Sequence, residues 1–442
     1  MDEAQALEHA TSAVALAISL GAEQAEATVS SVRRLHVEAR GENVAKLEGS
    51  TGKSLHVRVF TGSRNATLVT SDFSPESMRA ALRRAVDQAG VIAPDPFSGL
   101  PDACATDLPD LALYDAAIAQ REDAAKVEDA LALERWIRED PRIQNSSGSH
   151  YGDGISTLAL ANSAGFQASY RSTRASRSSG PVAQDGPLKR TAHYGTGARY
   201  LAELEDVERV ARVAARRATE MFGARKPPTM RLPVIFERDV AAAVLDDLFQ
   251  AISAANVATG NSWAADRVGE RIGSDLVTIV DDGRMPGKLG SSPFDGEGVA
   301  TRRTPVFERG VLRTFLFDSY YARKLGGQTT GNSTGGGIGA NSFYLEAGTR
   351  SLDELVAGTE RGVLILDTIG FATEHASGNY SRGARGFYIE RGELAYPIDE
   401  FTIAGQFDAM LAGIDAVAND LRFDGSVVAP SFRVAEMTVS GR

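Results

Sequence analysis

Two short segments of this chain concentrate carboxylates. They are Val280-Asp281-Asp282-Gly283 and Phe294-Asp295-Gly296-Glu297-Gly298. Carboxylate oxygens suit hard cations such as Mg²⁺ and Ca²⁺. Asp-Asp-Gly and Asp-Gly are also turn formers between strands, and turn chemistry accounts for both segments without an ion. A second acidic pair, Asp246 and Asp247, lies in a helical pattern whose apolar face is Val240, Val244, Leu248, Ile252 and Ala255. Adjacent helical residues point about 100° apart, so the pair cannot chelate one ion by itself. Asp246 falls opposite the apolar face and Asp247 at its edge, which reads as solvated helix surface.

Other residue sets invite nucleophilic or nucleotide chemistry. His375 with Asp367 and Ser377 has the residue types of a hydrolase triad, but no Gly-x-Ser-x-Gly elbow accompanies it. Gly335-Gly336-Gly337-Ile338-Gly339 and Gly52-Lys53-Ser54 suggest phosphate cradles. A cradle needs a strand before it and a helix after it. Here a strand-like segment follows each, and Leu47 stands where the first P-loop glycine belongs. A glycine-rich loop also lets another backbone approach closely. Cys104, the one cysteine, lies in a proline-rich loop and reads as an incidental thiol.

These residues must be positioned by elements that the hydrophobic periodicity predicts. Residues 4–20 fit an amphipathic helix. Antiparallel strands are expected over 25–70, where Leu35, Val37 and Ala39 alternate with His36, Glu38 and Arg40. Gly49-Ser50-Thr51-Gly52 reads as a turn between them. Ser74-Pro75 opens a helix. Residues 93–110 read as a long surface connection, 117–138 as a helix, 155–200 as strands and 204–222 as a charged helix. The break at 223–228 suggests a boundary between an N-terminal α/β domain (1–225) and a strand-rich C-terminal domain (230–442). In the latter, a strand over 232–236 leads into a helix over 239–255. Strands follow near 276–280, 306–317, 363–366, 387–390 and 432–439. The expected class is α+β.

Composition narrows the function. With 442 residues, 43% hydrophobic and 24% charged, the chain reads as an ordinary globular protein of more than one domain. No apolar run has the length of a membrane span, and the acidic start does not resemble a signal peptide. One cysteine excludes an intrachain disulfide and a Cys-based zinc site, which favours the cytoplasm. The net charge of −11 argues against direct nucleic-acid binding, which needs a basic footprint. Arg171, Arg174 and Arg177 among serines read as a polar strand.

The ordered set of C-terminal motifs carries a family resemblance. After the two acidic segments come Glu308-Arg309-Gly310-Val311-Leu312, Ala322-Arg323-Lys324-Leu325-Gly326 and Thr330-Gly331-Asn332. Gly386-Phe387-Tyr388-Ile389-Glu390-Arg391-Gly392-Glu393-Leu394, Thr402-Ile403-Ala404-Gly405, Val417-Ala418-Asn419-Asp420-Leu421 and Ala429-Pro430-Ser431 complete it. From about residue 232 to the end this resembles the TldD/TldE family, also called PmbA or modulators of DNA gyrase. Over the first half the likeness rests on length and layout.

The resemblance implies two kinds of subunit. TldD-type chains hold zinc through His-Glu-x-x-x-His on the helix after the first C-terminal strand, plus a distal cysteine. TldE-type chains lack these ligands and pair with a TldD-type chain that processes extended, unfolded peptides. Here Asp246 and Asp247 stand where His and Glu would be, and Ala251 where the second His would be. The chain thus looks TldE-like, with no catalytic residue or cofactor of its own and zinc expected in the partner. Asn332, Gly335, Gly336, Gly337, Asn341, His375 and Ser377 are the expected peptide or partner contacts. The alternative is a stand-alone, homodimeric peptide-binding scaffold without proteolysis.

Overall fold

The computed structural model describes residues 1–370 and 373–441. The chain opens with helix α1 (Glu3–Ser19), whose N-cap Asp2 and Gln5 form a reciprocal capping box. Strands β1 (Gln24–Arg40), β2 (Asn43–Thr61) and β3 (Arg64–Thr70) follow, then α2 (Pro75–Val91), α3 (Ala116–Gln120) and α4 (Asp123–Ile137). Next come β4 (Ile143–Asn162), β5 (Gln167–Asp185), β6 (Leu188–Thr191), β7 (Tyr194–Ala198) and α5 (Val207–Thr219).

These strands make one antiparallel sheet in the order β3-β2-β1-β4-β5-β6, with β7 also paired to β5. Strand alternation sorts its two faces. Ala25, Ala27, Val29, Val37 and Ala39 of β1 are buried on the face covered by α1, α2, α4 and α5. The intervening residues, Glu26 and Thr28 at one end and His36 and Glu38 at the other, point the opposite way.

The second half starts with β8 (Met230–Phe236), α6 (Arg238–Ile252) and α7 (Ala254–Ala258). Strands β9 (Ile279–Asp282), β10 (Arg303–Glu308) and β11 (Val311–Leu312), helix α8 (Ser319–Leu325), β12 (Ser342–Leu345) and α9 (Leu352–Ala357) come next. Then follow β13 (Arg361–Ile369), β14 (Thr373–Glu374), β15 (Asn379–Glu390), β16 (Glu393–Gln406), α10 (Phe407–Ala412), β17 (Ile414–Val417), β18 (Val427–Val428) and β19 (Phe432–Ser440). One sheet runs β11-β10-β9-β12-β18. The other closes on itself, β13-β8-β19-β16-β15, because β15 pairs back to β13. Closure removes the open edges of these strands. The α6 face Val240, Val244, Leu248 and Ile252 is buried in the core between the two sheets.

The fold is mixed α+β, and several local expectations need correction. Residues 49–52 lie inside β2, whose pairing with β1 runs through Gly49 and Gly52. Glycine there weakens a strand but does not end it. The helix expected over 117–138 is interrupted at Arg121-Glu122, where both residues are extended. The strand expected over 306–317 turns at Arg309-Gly310, both with positive φ (48° and 80°). A Cβ on Gly310 would sit 2.0 Å from the Gly273 carbonyl oxygen, so only glycine fits this turn. The helix after β8 bends at Ser253, whose backbone is extended and bridges to Leu316. Asp281 and Asp282 lie in β9 rather than in a turn, although Asp282 Oδ1 does accept from Arg284 N just beyond it.

Candidate functional site

Two concavities lie where the uncovered face of the first sheet meets the C-terminal half. The first, about 680 Å³, is walled by β5 (Arg174, Ser176, Ser178), β7 (Gly195, Thr196, Gly197), α6 (Asp239, Val240, Ala243) and the β13–β15 pair (Asp367, Arg382, Arg385). Small residues on β5 and β7 keep the floor low. On the rim, Arg217 is paired with Glu237 and Asp239, and Arg385 with Asp367.

One turn beyond Ala243, α6 carries Asp246, Asp247 and Ala251, the positions at which the resemblance leads one to expect a zinc motif. Asp246 is exposed. Partial desolvation and the neighbouring Asp247 raise its pKa, while His375 and Arg382 act the other way. Asp247 is not solvated, contrary to expectation. Its Oδ2 accepts from Arg382 Nη2 (2.7 Å) and Thr373 Oγ1 (3.0 Å), and its side chain is only 13% exposed. Ala251 is fully buried and offers no donor atom. A zinc site needs three donor side chains converging on one point. Here one position has no donor and another is already bonded to a guanidinium, so these residues do not fit zinc.

The second concavity, about 730 Å³, lies between Thr28, His56, Leu160 and Tyr170 of the first sheet and the segment 332–341. Asp281, wholly buried, organises that segment. Asn332 Nδ2 (2.8 Å) and Asn341 Nδ2 (2.9 Å) both donate to its Oδ2, and Asn341 N (2.8 Å) donates to Oδ1. Burial raises the Asp281 pKa to about 6 against these bonds. The amide groups of Asn332 and Asn341 thus brace the loop, leaving its backbone and Gly335–Gly336 to face the cavity. Gly296 approaches this loop so closely that a Cβ on it would lie 2.3 Å from Gly335 N. Gly336 and Gly337 have open space around them.

Asp295 and Glu297 are committed to protein donors. Asp295 accepts from Glu297 N, Val299 N and Ser333 N, and burial raises its pKa to about 7. Glu297 accepts from Ser319 N (3.0 Å) and from Arg58 Nη2 (3.1 Å). Arg58 also holds Glu26 (3.0 Å) and so ties the first sheet to the C-terminal half. Glu26 is almost fully buried, and desolvation lifts its pKa to about 7.

The triad types do not assemble. Ser377 Oγ donates to Glu374 Oε2 (2.9 Å), Asp367 pairs with Arg385 (2.6 Å), and His375 Nδ1 is buried with no hydrogen-bond partner among the described residues. Cys104 is half-buried, accepts from Asn162 Nδ2 (3.2 Å), and has a raised pKa, chiefly from desolvation. That is the environment of an unreactive thiol. Arg171 stacks on Tyr114 and Arg177 pairs with Asp129. One constellation escaped the periodicity reading altogether, that of His36, Glu38 and His150. The His-x-Glu spacing on one strand was visible, but only strand register shows which distant residue faces it.

The fold and the α6 helix define the class. A model of the PmbA/TldA metallopeptidase C-terminal domain matches residues 229–441, and one of the central domain matches residues 117–222. The chain is 32% identical to Metalloprotease PmbA of Escherichia coli O157:H7 over 439 residues, covering 99% of this chain and 96% of that protein. It is 33% identical to a PmbA homolog of Haemophilus influenzae, covering 97% and 94%. A crystal structure from Bacteroides thetaiotaomicron, described as a modulator of DNA gyrase, superposes with a TM-score of 0.93 at 26% identity over 100% of both chains. TldE from Thermococcus kodakarensis shares the fold, with a TM-score of 0.89 at 22% identity over 98% of this chain and 100% of that one. The protein belongs to the PmbA/TldD/TldE family of metallopeptidase-like proteins. No helix among the described residues is long and apolar enough to cross a membrane.

Proposed function

We propose that this chain is the non-catalytic, TldE-type subunit of a cytoplasmic zinc-peptidase heterodimer, which holds an extended peptide while a TldD-type partner hydrolyses it. The observation that carries this reading is α6, where Asp247, at the motif's glutamate position, is engaged by Arg382 and Ala251, at its second histidine position, has no donor. Peptide holding is supported by the cleft beside that helix. Among the described residues β7 pairs with β5 alone, and its Gly195, Thr196 and Gly197 line the cleft. An extended chain can add to such a margin through main-chain hydrogen bonds. The loop 332–341 and the segment around His375 and Ser377 are proposed as further peptide or partner contacts.

The test is co-expression with a chain bearing His-Glu-x-x-x-His. The expected result is a complex that co-elutes on size exclusion at micromolar concentration and degrades an unfolded peptide, while this chain alone does not. Separate elution, or peptide cleavage by this chain alone, overturns the reading. A homodimer that binds peptide but ignores the partner would establish the scaffold alternative instead.

A further inference from the structure

We propose that His36, Glu38 and His150 form a divalent transition-metal site of the zinc, cobalt or nickel type on the uncovered face of the first sheet. It is separate from the family's zinc-motif helix. His36 and Glu38 sit two residues apart on β1 and so share a face. His150 on β4 is the register partner of Glu38. One ligand atom from each lies within 4.8 Å of the others.

The two imidazoles stack, with centroids 5.2 Å apart and planes at 23°. Among the described residues His150 Nδ1 has no hydrogen-bond partner, and the other ring nitrogen, Nε2, is the one nearest Gly148. The room for an ion is set by Gly148, whose φ is +126°. A Cβ there would lie 3.1 Å from His150 Nε2 and 3.2 Å from Glu38 Oε1, so the missing side chain leaves a space on which both donors border. Ligand bonds to zinc are about 2.0–2.2 Å, so the three side chains would draw together from the 4.8 Å within which their ligand atoms lie.

The donor set matches the ion. Two imidazoles and one carboxylate are borderline ligands that suit zinc, nickel and cobalt better than magnesium or calcium. Because all three stand on paired strands, little chain entropy is lost on binding. Two cations oppose the ion. Arg40 holds Glu38 Oε1 at 2.7 Å, but its side chain is 59% exposed, and such surface pairs are weak. Lys46 is the register partner of Glu38 on β2 and is engaged by Glu48 (3.0 Å). Three protein ligands leave a coordination position for water.

The experiment is titration of the chelator-stripped full chain with Zn²⁺ by calorimetry and with Co²⁺ by visible absorption. One ion per chain is expected, with a dissociation constant in the micromolar range and d–d bands of a four- or five-coordinate cobalt centre. His36→Ala, Glu38→Gln and His150→Ala should each weaken binding at least tenfold, while Asp246→Ala and Asp247→Asn leave it unchanged. Thermal melts of each metal-free variant establish that it is folded. Absence of saturable binding below about 100 μM, or equal binding by the three variants, overturns the proposal. Loss of binding in the α6 variants instead would place the ion at the zinc-motif helix and contradict the proposed non-catalytic role.

Discussion

Replacing Arg58 by methionine will cost about 3–5 kcal/mol of stability at pH 8, the range for removing one partner from a buried ion pair. Arg58 is the cation held between Glu26 and Glu297, both 2% exposed. Methionine fills much of the same volume but leaves two buried carboxylates facing each other. The deficit is pH-dependent with a definite sign. The Glu26 carboxyl is already lifted from 4.5 to about 7 in the folded protein. A carboxyl whose folded pKa is raised stabilises the fold below its unfolded pKa, and that contribution is lost as pH rises through the folded value. Removing Arg58 takes away the charge that opposes this rise. The difference in melting temperature between Arg58→Met and the parent should therefore be largest near pH 8 and shrink towards pH 5.5. Calorimetry at the two pH values measures it, and a deficit that grows on acidification contradicts the argument. A partial transition confined to separation of the two halves is also expected, because Arg58 connects them.

Truncating Asp281 to alanine will release the segment 331–341. Three donors lose their acceptor at once: Asn332 Nδ2, Asn341 Nδ2 and Asn341 N. Part of the loss is recovered through the bonds that the two side-chain amides keep to Gly339 O and Gly331 O, and through relief of the buried charge. The net cost is about 2–4 kcal/mol. Hydrogen exchange gives the local readout. The Asn341 amide should exchange at least tenfold faster, while the amides of β1 and β4 keep their protection. If the segment supports peptide or partner, affinity for the TldD-type chain or for an extended peptide falls with it. Unchanged exchange at Asn341 would show that Asp281 does not organise the loop.

Neither the Arg58 link nor the Asp281 brace was legible in sequence. Asp281 was visible as a carboxylate next to a turn signal, and Asn332 and Asn341 as members of a glycine-rich segment. β9 pairs with β12 so that Phe343 lies opposite Asp281, and Asn341, two residues before Phe343 and just ahead of β12, comes within reach of the Asp281 carboxylate. Asp247 is a similar case. Helical periodicity put it at the edge of the apolar face of α6, where solvent was the natural expectation. Arg382 reaches it from β15, a strand well over a hundred residues away, and periodicity carries no information about such a partner.

What the sequence determined by itself was local and ordinal. Alternation marked most of the strands, amphipathic or charged patterns and the Ser74-Pro75 start marked the helices, and the order of the motifs marked the family. The proposal that Asp246, Asp247 and Ala251 stand in place of a zinc motif needed only linear position. Turn chemistry misled where pairing decided, as at Gly49 and Gly52, because a long ladder to β1 outweighs the weak local preference of two glycines. Only the tertiary structure decided which charges neutralise each other, where the clefts lie, and that His36 and Glu38 face His150. These depend on strand register and on how the two halves meet. Register is set by the burial of one face of each strand against its helices, a property of the whole sheet that no short window of sequence contains.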